Sequence, residues 1–235
     1  MSKKFFEVEF RKIDWKVNSD KFFSSPYDVD RIEACNLRVA IWARQLEAID
    51  VGNPALSFIR EMQMSGHQVA ALLALGLYKP AAASIRSMLE TGMYYTYFRS
   101  HQIELETLAR GGGYYITKSE VVEFHKQHTV KFKDIASQIG LLTELEKWYG
   151  AISSIVHGQI PGVWNKFHAL KDITFDKPTL DLAIKTFCAC ENTLHLFLLS
   201  TVGRQFWDSF SVDAKKRLLA HLSLKIKTSL ELDAA

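Results

Sequence analysis

Residues 145–162, LEKWYGAISSIVHGQIPG, place two serines and a histidine at the end of a predicted helix. Ser153 and Ser154 lie four and three residues before His157, so either hydroxyl can approach the imidazole. Gly158 follows directly and is typical of a helix C-terminus, where the helix dipole favours a protonated histidine. The segment therefore predicts an imidazole available for general acid or base chemistry. A hydrogen-bonded C-terminal cap is the structural alternative.

A second polar pair lies in the Ala-rich segment 81–97, AAASIRSMLETGMYYTY. Arg86 and Glu90 are four residues apart, so they share one face of a helix. Small residues at 81–84 let a neighbouring helix approach closely, which would leave both charges partly buried. The planar guanidinium of Arg86 suits bidentate contact with a phosphate, and Glu90 would orient Arg86 or a nearby histidine. The alternative is a structural ion pair that fixes helix register.

Three other kinds of site are poorly supported by the sequence. The serine nucleophile of acyl-transfer enzymes is disfavoured because G-x-S-x-G and alternating strands and helices are absent. The glycines at 111–113 follow no strand and precede no Lys-Ser/Thr pair, so they are not a typical phosphate loop. His125 and His128, near Glu120 and Glu123, lack a second ligand segment and are explained by a solvated helix face. We therefore expect neither a metal nor a cofactor.

Helical periodicity dominates the elements that must position these groups. From Asp30 onward, apolar residues recur at three- and four-residue intervals, which predicts an amphipathic helix that ends at Gly52. A turn at residues 78–80 separates a second helix from the third, which carries Arg86, so these two helices should form an antiparallel hairpin.

Later helix starts are predicted from capping residues and proline. The T-x-x-E patterns at Thr117 and Thr143 predict helices near 118–137 and 144–157. Pro178 starts a long helix to about Val202, and a last helix covers roughly 212–227. We expect an N-terminal extension over 1–29, with weak alternation over 4–10 indicating a short strand or a packed segment. Residues 30–235 should form one all-α bundle of six to eight helices.

Composition and charge restrict the class of protein. A 235-residue chain with 48% hydrophobic residues can bury one substantial core. The net charge of +3 is compatible with an RNA partner but too small to indicate one. Three cysteines, no apolar leader and no apolar stretch long enough to cross a bilayer predict a cytoplasmic protein without a membrane partner. The aromatic residues at 94–98 favour core packing or self-association.

The order of IRSMLE on a helical hairpin followed by SSIVHG at a later helix end resembles the HEPN-like helical domains of bacterial defence and toxin–antitoxin loci. The resemblance covers roughly 53–199 and implies a helical bundle, often dimeric, with metal-independent ribonuclease activity in many members. Their hallmark is an arginine and a later histidine with four to six residues between them. No arginine precedes His157 at that spacing, whereas Arg60 and His67 have it.

Two functional hypotheses follow from these residues. In the first, the chain is an RNA-directed protein, a ribonuclease toxin or antiviral-defence effector, with His157, Arg86 and Glu90 as catalytic residues. The hydroxyls and charged groups that would contact the RNA are those of Ser153, Ser154, Arg60 and His67. In the second, the chain is a non-catalytic helical scaffold or regulatory subunit whose polar interior fixes packing. Both predict a homo-oligomer or a partner protein.

Overall fold

The computed structural model describes residues 4–111 and 113–232, and about 75% of the chain is helical. No strand occurs within these ranges, so the all-α prediction is confirmed. Residues 1–3 and 233–235 of the predicted extension and bundle, and Gly112, lie outside the described residues. The helices outnumber the predicted six to eight. They are α1 Phe5–Phe10, α2 Trp15–Phe23, α3 Pro26–Ile49, α4 Leu56–Ala74, α5 Tyr78–Phe98, α6 Gln102–Ala109, α7 Lys118–His128, α8 Phe132–Gln138, α9 Leu141–Val156, α10 Lys177–Leu198, α11 Arg204–Phe206, α12 Val212–Leu219 and α13 Leu224–Leu230.

The hairpin of α4 and α5 is confirmed by its side-chain pairs. The Oγ atoms of Ser65 and Ser87 lie 3.2 Å apart, and Ser84 Oγ lies 3.5 Å from Gln68 Oε1. As the position on α4 rises, the partner's position on α5 falls, which is the order of an antiparallel pair. Helix α5 also packs against α7, α9 and α10, so it is the central helix of the bundle.

Helices α3 and α10 run parallel to each other in a fixed register. Three of the side-chain contacts between them link residues 153 positions apart. The Sγ atoms of Cys35 and Cys188 lie 3.5 Å apart, and Trp42 Nε1 donates to His195 Nδ1 at 2.9 Å. Between them, Arg38 Nε donates to the buried carboxylate of Glu191 at 2.7 Å. A constant offset means that the two helices keep the same direction and register along this seam.

Close helix approach depends on glycine at one position of α5. A Cβ added at Gly92 would lie 2.6 Å from Leu194 Cδ1 and 3.0 Å from Met62 Sδ. These distances are shorter than van der Waals contact, so α4, α5 and α10 meet where no larger side chain fits.

The aromatic residues at 94–98 are used inside the chain. Tyr95 and Phe98 are fully buried, and Tyr94 packs edge-on against Phe58. Tyr97 stacks on the ring of His101 with centroids 3.9 Å apart. The core-packing alternative for this segment is therefore seen directly, while self-association stays a prediction.

The solvated face predicted for α7 is wrong at His125. Glu120, Glu123 and His128 are exposed, but His125 is only 3% exposed. Its Nε2 lies 2.7 Å from Thr96 Oγ1, and its Nδ1 lies 2.7 Å from Thr129 Oγ1. Because two hydroxyls satisfy the ring, burial is tolerated and α7 can pack against α5.

The N-terminal segment is helical where its alternation indicated a strand. Residues 5–10 form α1, in which Phe6 and Phe10 pack one helical turn apart and Glu7 pairs with Arg11 at 2.9 Å. The boundary drawn at residue 30 falls inside α3, which begins at Pro26. Local contacts at i, i+4 spacing explain the helix better than the weak period of two.

Several predicted helix boundaries are also wrong. The turn predicted at 78–80 lies inside α5, which begins at Tyr78, and the last helix predicted over 212–227 is divided into α12 and α13. The helix over 118–137 is divided, because Lys131 adopts a positive φ of 61° between α7 and α8. The helix predicted from 144 begins at Leu141, with Gly140 at its N-cap, so Thr143 lies within the first turn. The capping box at Thr117 is confirmed, with Glu120 N donating to Thr117 Oγ1 and Thr117 N to the Glu120 carboxylate.

One helical stretch, Lys177–Ser209, is long and apolar enough to span a membrane by length and composition alone. It comprises α10, a π-helical turn at Leu199–Gly203, and the short helical segments that follow. Within its most apolar window, 72% is buried inside the bundle, as is usual for the core helix of a soluble protein. A soluble protein is therefore consistent with this helix.

Candidate functional site

The seam between α5 and α9 brings the two sequence motifs together. Arg86 and Glu90 lie on one face of α5, and His157 caps the C-terminus of α9, which packs against that face. The distance between Arg86 Nη1 and His157 Nε2 is 2.6 Å, and Arg86 Nε donates to Glu90 Oε1 at 2.9 Å. The three residues selected from the sequence therefore form one hydrogen-bonded cluster.

Tyr149 completes this cluster from the middle of α9. Its hydroxyl donates to Glu90 Oε1 at 2.7 Å and accepts a hydrogen bond from Arg86 Nη2 at 3.3 Å. Burial, and next the hydrogen bond to Glu90, raises the pKa of Tyr149 above its usual value. The phenol therefore stays protonated at neutral pH and works as a donor that holds the Glu90 carboxylate in place.

The contact with Arg86 sets the hydrogen-bonding role of His157 Nε2. A guanidinium carries only donors, so Nε2 of His157 is the acceptor in this contact. The lone pair that would serve a general base is held by Arg86 until another group takes its place.

The cluster is open to solvent on the side of His157. The side chains of Arg86 and Glu90 are 23% and 22% exposed, whereas His157 belongs to the exposed residues. A ligand can therefore reach the imidazole and the outer edge of the guanidinium from the same side. Partial burial strengthens the electrostatic interaction of Arg86 with an anion relative to an arginine on the open surface.

A second cation lies beside Tyr149. Lys118 Nζ, near the start of α7, lies 4.8 Å from the Tyr149 ring centroid and 2.5 Å from Glu146 Oε1. The side chain of Lys118 is only 10% exposed. It therefore contacts the aromatic ring and pairs with Glu146, rather than extending the site as a free charge.

The end of α9 has the hydrogen bonding of a Schellman motif. Gly158 N donates to Ile155 O at 3.2 Å, and Gln159 N donates to Ser154 O at 2.9 Å. Gly158 has a φ of +68°, in the left-handed region that this motif requires. The helix end is thus satisfied by backbone, which leaves the His157 side chain free for Arg86 rather than for capping.

The predicted serines have different surroundings. Ser154 Oγ donates to Gly150 O at 2.9 Å within α9, so its hydroxyl is used by its own helix. Ser153 Oγ is buried and has no hydrogen-bond partner. Because Ser153 is one turn from both Tyr149 and His157 in the sequence, its unpaired hydroxyl is the better candidate for joining the cluster.

Arg60 and His67 do not belong to this cluster. Arg60 Nε donates to Glu47 Oε1 at 2.8 Å, which joins α4 to α3 at the surface. His67 is exposed on α4 and makes no contact with Arg86 or His157. Their spacing satisfies the family hallmark, but the structure places the interacting arginine and histidine elsewhere.

The role of Tyr149 at the site was missed in the sequence. A signal was present, since Tyr149, Ser153 and His157 recur every four residues and so lie along one side of α9. Lys79 was predicted in the turn at 78–80. It lies in the first turn of α5, seven residues before Arg86 and on the same face.

A larger cavity of about 440 Å³ lies near the C-terminal end of α5, away from this cluster. Its wall includes Arg99, which bonds Gln205 at 2.8 Å and Asp50 at 3.3 Å, and the neutral, buried His125. Both groups are already satisfied by the protein. Within 4–111 and 113–232, no group of three His, Cys, Asp or Glu side chains could hold a metal ion.

In this cluster Arg86 is the cation and His157 is the base. Glu90 and Tyr149 hold Arg86 in place. This set can bind an anion at the guanidinium and move a proton at the imidazole. Comparison of the chain with protein-family models, with curated proteins and with solved structures gives no match in any of the three.

Proposed function

We propose that this chain is a HEPN-like, RNA-directed endoribonuclease that cleaves without a metal ion, as a toxin or antiviral-defence effector in the cytoplasm. The observation that carries the proposal is the 2.6 Å contact between Arg86 Nη1 and the exposed imidazole of His157. A phosphodiester needs a cation at the phosphate and a base at the 2′-hydroxyl, and here the two are adjacent.

The order of the cleavage steps follows from which atoms already have a hydrogen-bond partner. An RNA phosphate that binds Arg86 takes the place of His157 Nε2, so the lone pair becomes available. Nε2 then accepts the proton of the ribose 2′-hydroxyl, and the 2′-oxygen attacks phosphorus. The bond from phosphorus to the 5′-oxygen breaks, leaving a 2′,3′-cyclic phosphate, and the departing oxygen takes a proton from His157 or water. Glu90 and Tyr149 are positioning residues that hold Arg86.

The test is cleavage of fluorescein-labelled single-stranded RNA in the presence of EDTA. We expect His157→Ala to abolish cleavage and Arg86→Lys to reduce it, because Lys cannot reproduce the planar donor set. His67→Ala and Arg60→Ala are matched controls that remove the same residue types outside the cluster. Products should carry 2′,3′-cyclic phosphate ends. Cleavage by folded His157→Ala at the wild-type rate would refute the proposal.

A non-catalytic scaffold or regulatory subunit is the second candidate. It is supported by the self-contained hydrogen bonding of Arg86, Glu90 and Tyr149, which satisfies each group without a ligand. In that case Glu90→Gln should lower the free energy of unfolding by about 1–2 kcal/mol, while RNA remains intact with every variant. Light scattering on the purified chain, alone and in lysate-derived complexes, tests the predicted homo-oligomer or protein partner.

A further inference from the structure

A cavity of about 280 Å³ adjoins the cluster at the C-terminal end of α9. Its wall includes Lys79, Gly158, Gly162, Trp164 and Asn165, and no acidic residue lines it. Gly158 directly follows His157 in the chain, so the cavity lies next to the proposed catalytic site. Its volume is just below the range of about 300–1,000 Å³ usual for small-ligand pockets. It therefore suits a fragment such as a phosphate with its ribose.

Lys79 supplies an uncompensated positive charge to this cavity. Within the part of the chain that the structure describes, its ammonium has no ion pair or hydrogen bond, and Nζ lies 3.7 Å from the Cβ position of Gly158. The C-terminal end of α9 favours a cation at this place, which explains why the side chain lies here. The ammonium nevertheless keeps its donors available for a ligand.

The cavity wall also contains a buried donor without a partner. Trp164 forms part of this wall and is only 3% exposed, and its indole Nε1 has no hydrogen-bond partner. A buried N–H normally finds an acceptor, so one polar group of this wall is unsatisfied. The exposed Asn165 adds a further polar side chain to the same wall. Together with the charge of Lys79, these groups suit an oxygen-rich anion.

The spacing along α5 connects this cavity to the catalytic cluster. Lys79 and Arg86 are seven residues apart, so they lie on the same face, about 10 Å apart along the helix axis. One anion at Arg86 and another at Lys79 would therefore be bound along one seam. Successive phosphates of a single strand provide such a row of anions.

We propose that the cavity of Lys79, Trp164 and Asn165 is a subsite for a phosphate of the RNA strand next to the phosphate held by Arg86. This inference rests on the proposed function, since it assigns the neighbouring part of the same substrate. Lys79 is a binding residue in it and takes no part in proton transfer.

The experiment measures binding and cleavage separately. A fluorescein-labelled 2′-O-methyl RNA strand, which has no attacking hydroxyl, is titrated by fluorescence anisotropy at several salt concentrations. We expect Lys79→Gln to weaken binding on the order of 3–10-fold and to lower the slope of log K against log salt by about 0.7, because one phosphate contact is lost. Lys79→Arg should retain the wild-type affinity and the wild-type salt slope. Trp164→Phe should weaken binding without changing the slope.

The control is Lys185→Gln, which removes the same charge from an exposed position on α10. Circular dichroism confirms that each variant is folded. Equal affinity and salt slope for wild type and Lys79→Gln would overturn the subsite, as would absence of any RNA binding by the wild type. Cleavage of unmodified RNA is assayed in parallel. If the wild type does not cleave but the Lys79 effect on binding is present, the proposed function fails and the subsite stands.

Discussion

Two buried histidines should make this protein lose stability steeply between pH 7 and pH 4.5. Burial, and to a smaller degree the nearby His101, lowers the pKa of His125 to about 3. The pKa of His195 is lowered well below its usual value of 6.5, because the ring is fully buried and because the positive charge of Arg38 lies nearby. Both rings are therefore neutral in the folded state.

The direction in which the free energy of unfolding changes with pH follows from proton uptake. Below pH 6.5 the unfolded chain protonates both histidines, while the folded chain does not, so the free energy of unfolding falls as pH falls. The loss begins at the unfolded pKa and continues until the pH passes the folded pKa. Each ring contributes about 1.4 kcal/mol per pH unit in this window. The two together remove about 3 kcal/mol at pH 5.5 and about 5 kcal/mol at pH 4.5, a large share of a typical 5–15 kcal/mol.

Urea unfolding followed by tryptophan fluorescence at pH 7.5, 6.5, 5.5 and 4.5 gives the required free energies. The His125→Gln/His195→Gln double variant is less stable throughout, but its pH dependence should be shallower by about 2–3 kcal/mol per unit below pH 6.5. Carboxylates titrate equally in both proteins, so the difference in slope isolates the two rings. The surface replacement His67→Gln is the control. Parallel curves for the double variant and wild type would refute the assignment of neutral buried rings.

Three further perturbations test the packing and the site. Tyr149→Phe should lower the free energy of unfolding by about 1–2 kcal/mol in urea titration, because it removes the hydroxyl's hydrogen bonds with Glu90 and Arg86, and should slow RNA cleavage. Gly92→Ala should cost about 1–3 kcal/mol through the 2.6 Å clash with a leucine of α10, whereas Gly150→Ala, with open space around it, should not destabilise the fold. Diamide should join Cys35 to Cys188, 3.5 Å away, with a mass loss of two hydrogens; an unchanged mass in the native protein would contradict this geometry.

The helix class and the α4–α5 hairpin could be read from the sequence because they depend on local spacing. Apolar residues at three- and four-residue intervals select a helix, and a short connection forces its neighbour to run antiparallel. The same reasoning correctly placed Arg86 and Glu90 on one face. It failed at residues 4–10. Polar and apolar residues alternate weakly there, but two phenylalanines four residues apart pack on each other in a helix.

The sequence could predict the assembly of the site only on the condition that the helix of Arg86 packs against the helix of His157. Each motif indicates its own helix face, but which helices meet depends on packing between elements that are far apart in the chain. Arg86 and His157 are separated by 71 residues, and no local rule joins them. Likewise, Lys131 adopts a left-handed conformation although no glycine or proline lies at the break, so the break between α7 and α8 could not be predicted from the sequence.

The parallel register of α3 and α10 affects how the chain is made. Its partners lie 153 positions apart, so the face of α3 that carries Cys35, Arg38 and Trp42 has no α10 to pack on until residue 195 has been synthesised. At about 5–20 residues per second, this interval lasts roughly 8–30 s. The antiparallel α4–α5 hairpin, whose pairs are close in sequence, can fold during that wait. Nascent chains stalled before residue 177 should therefore contain the hairpin and leave Trp42 without its His195 partner.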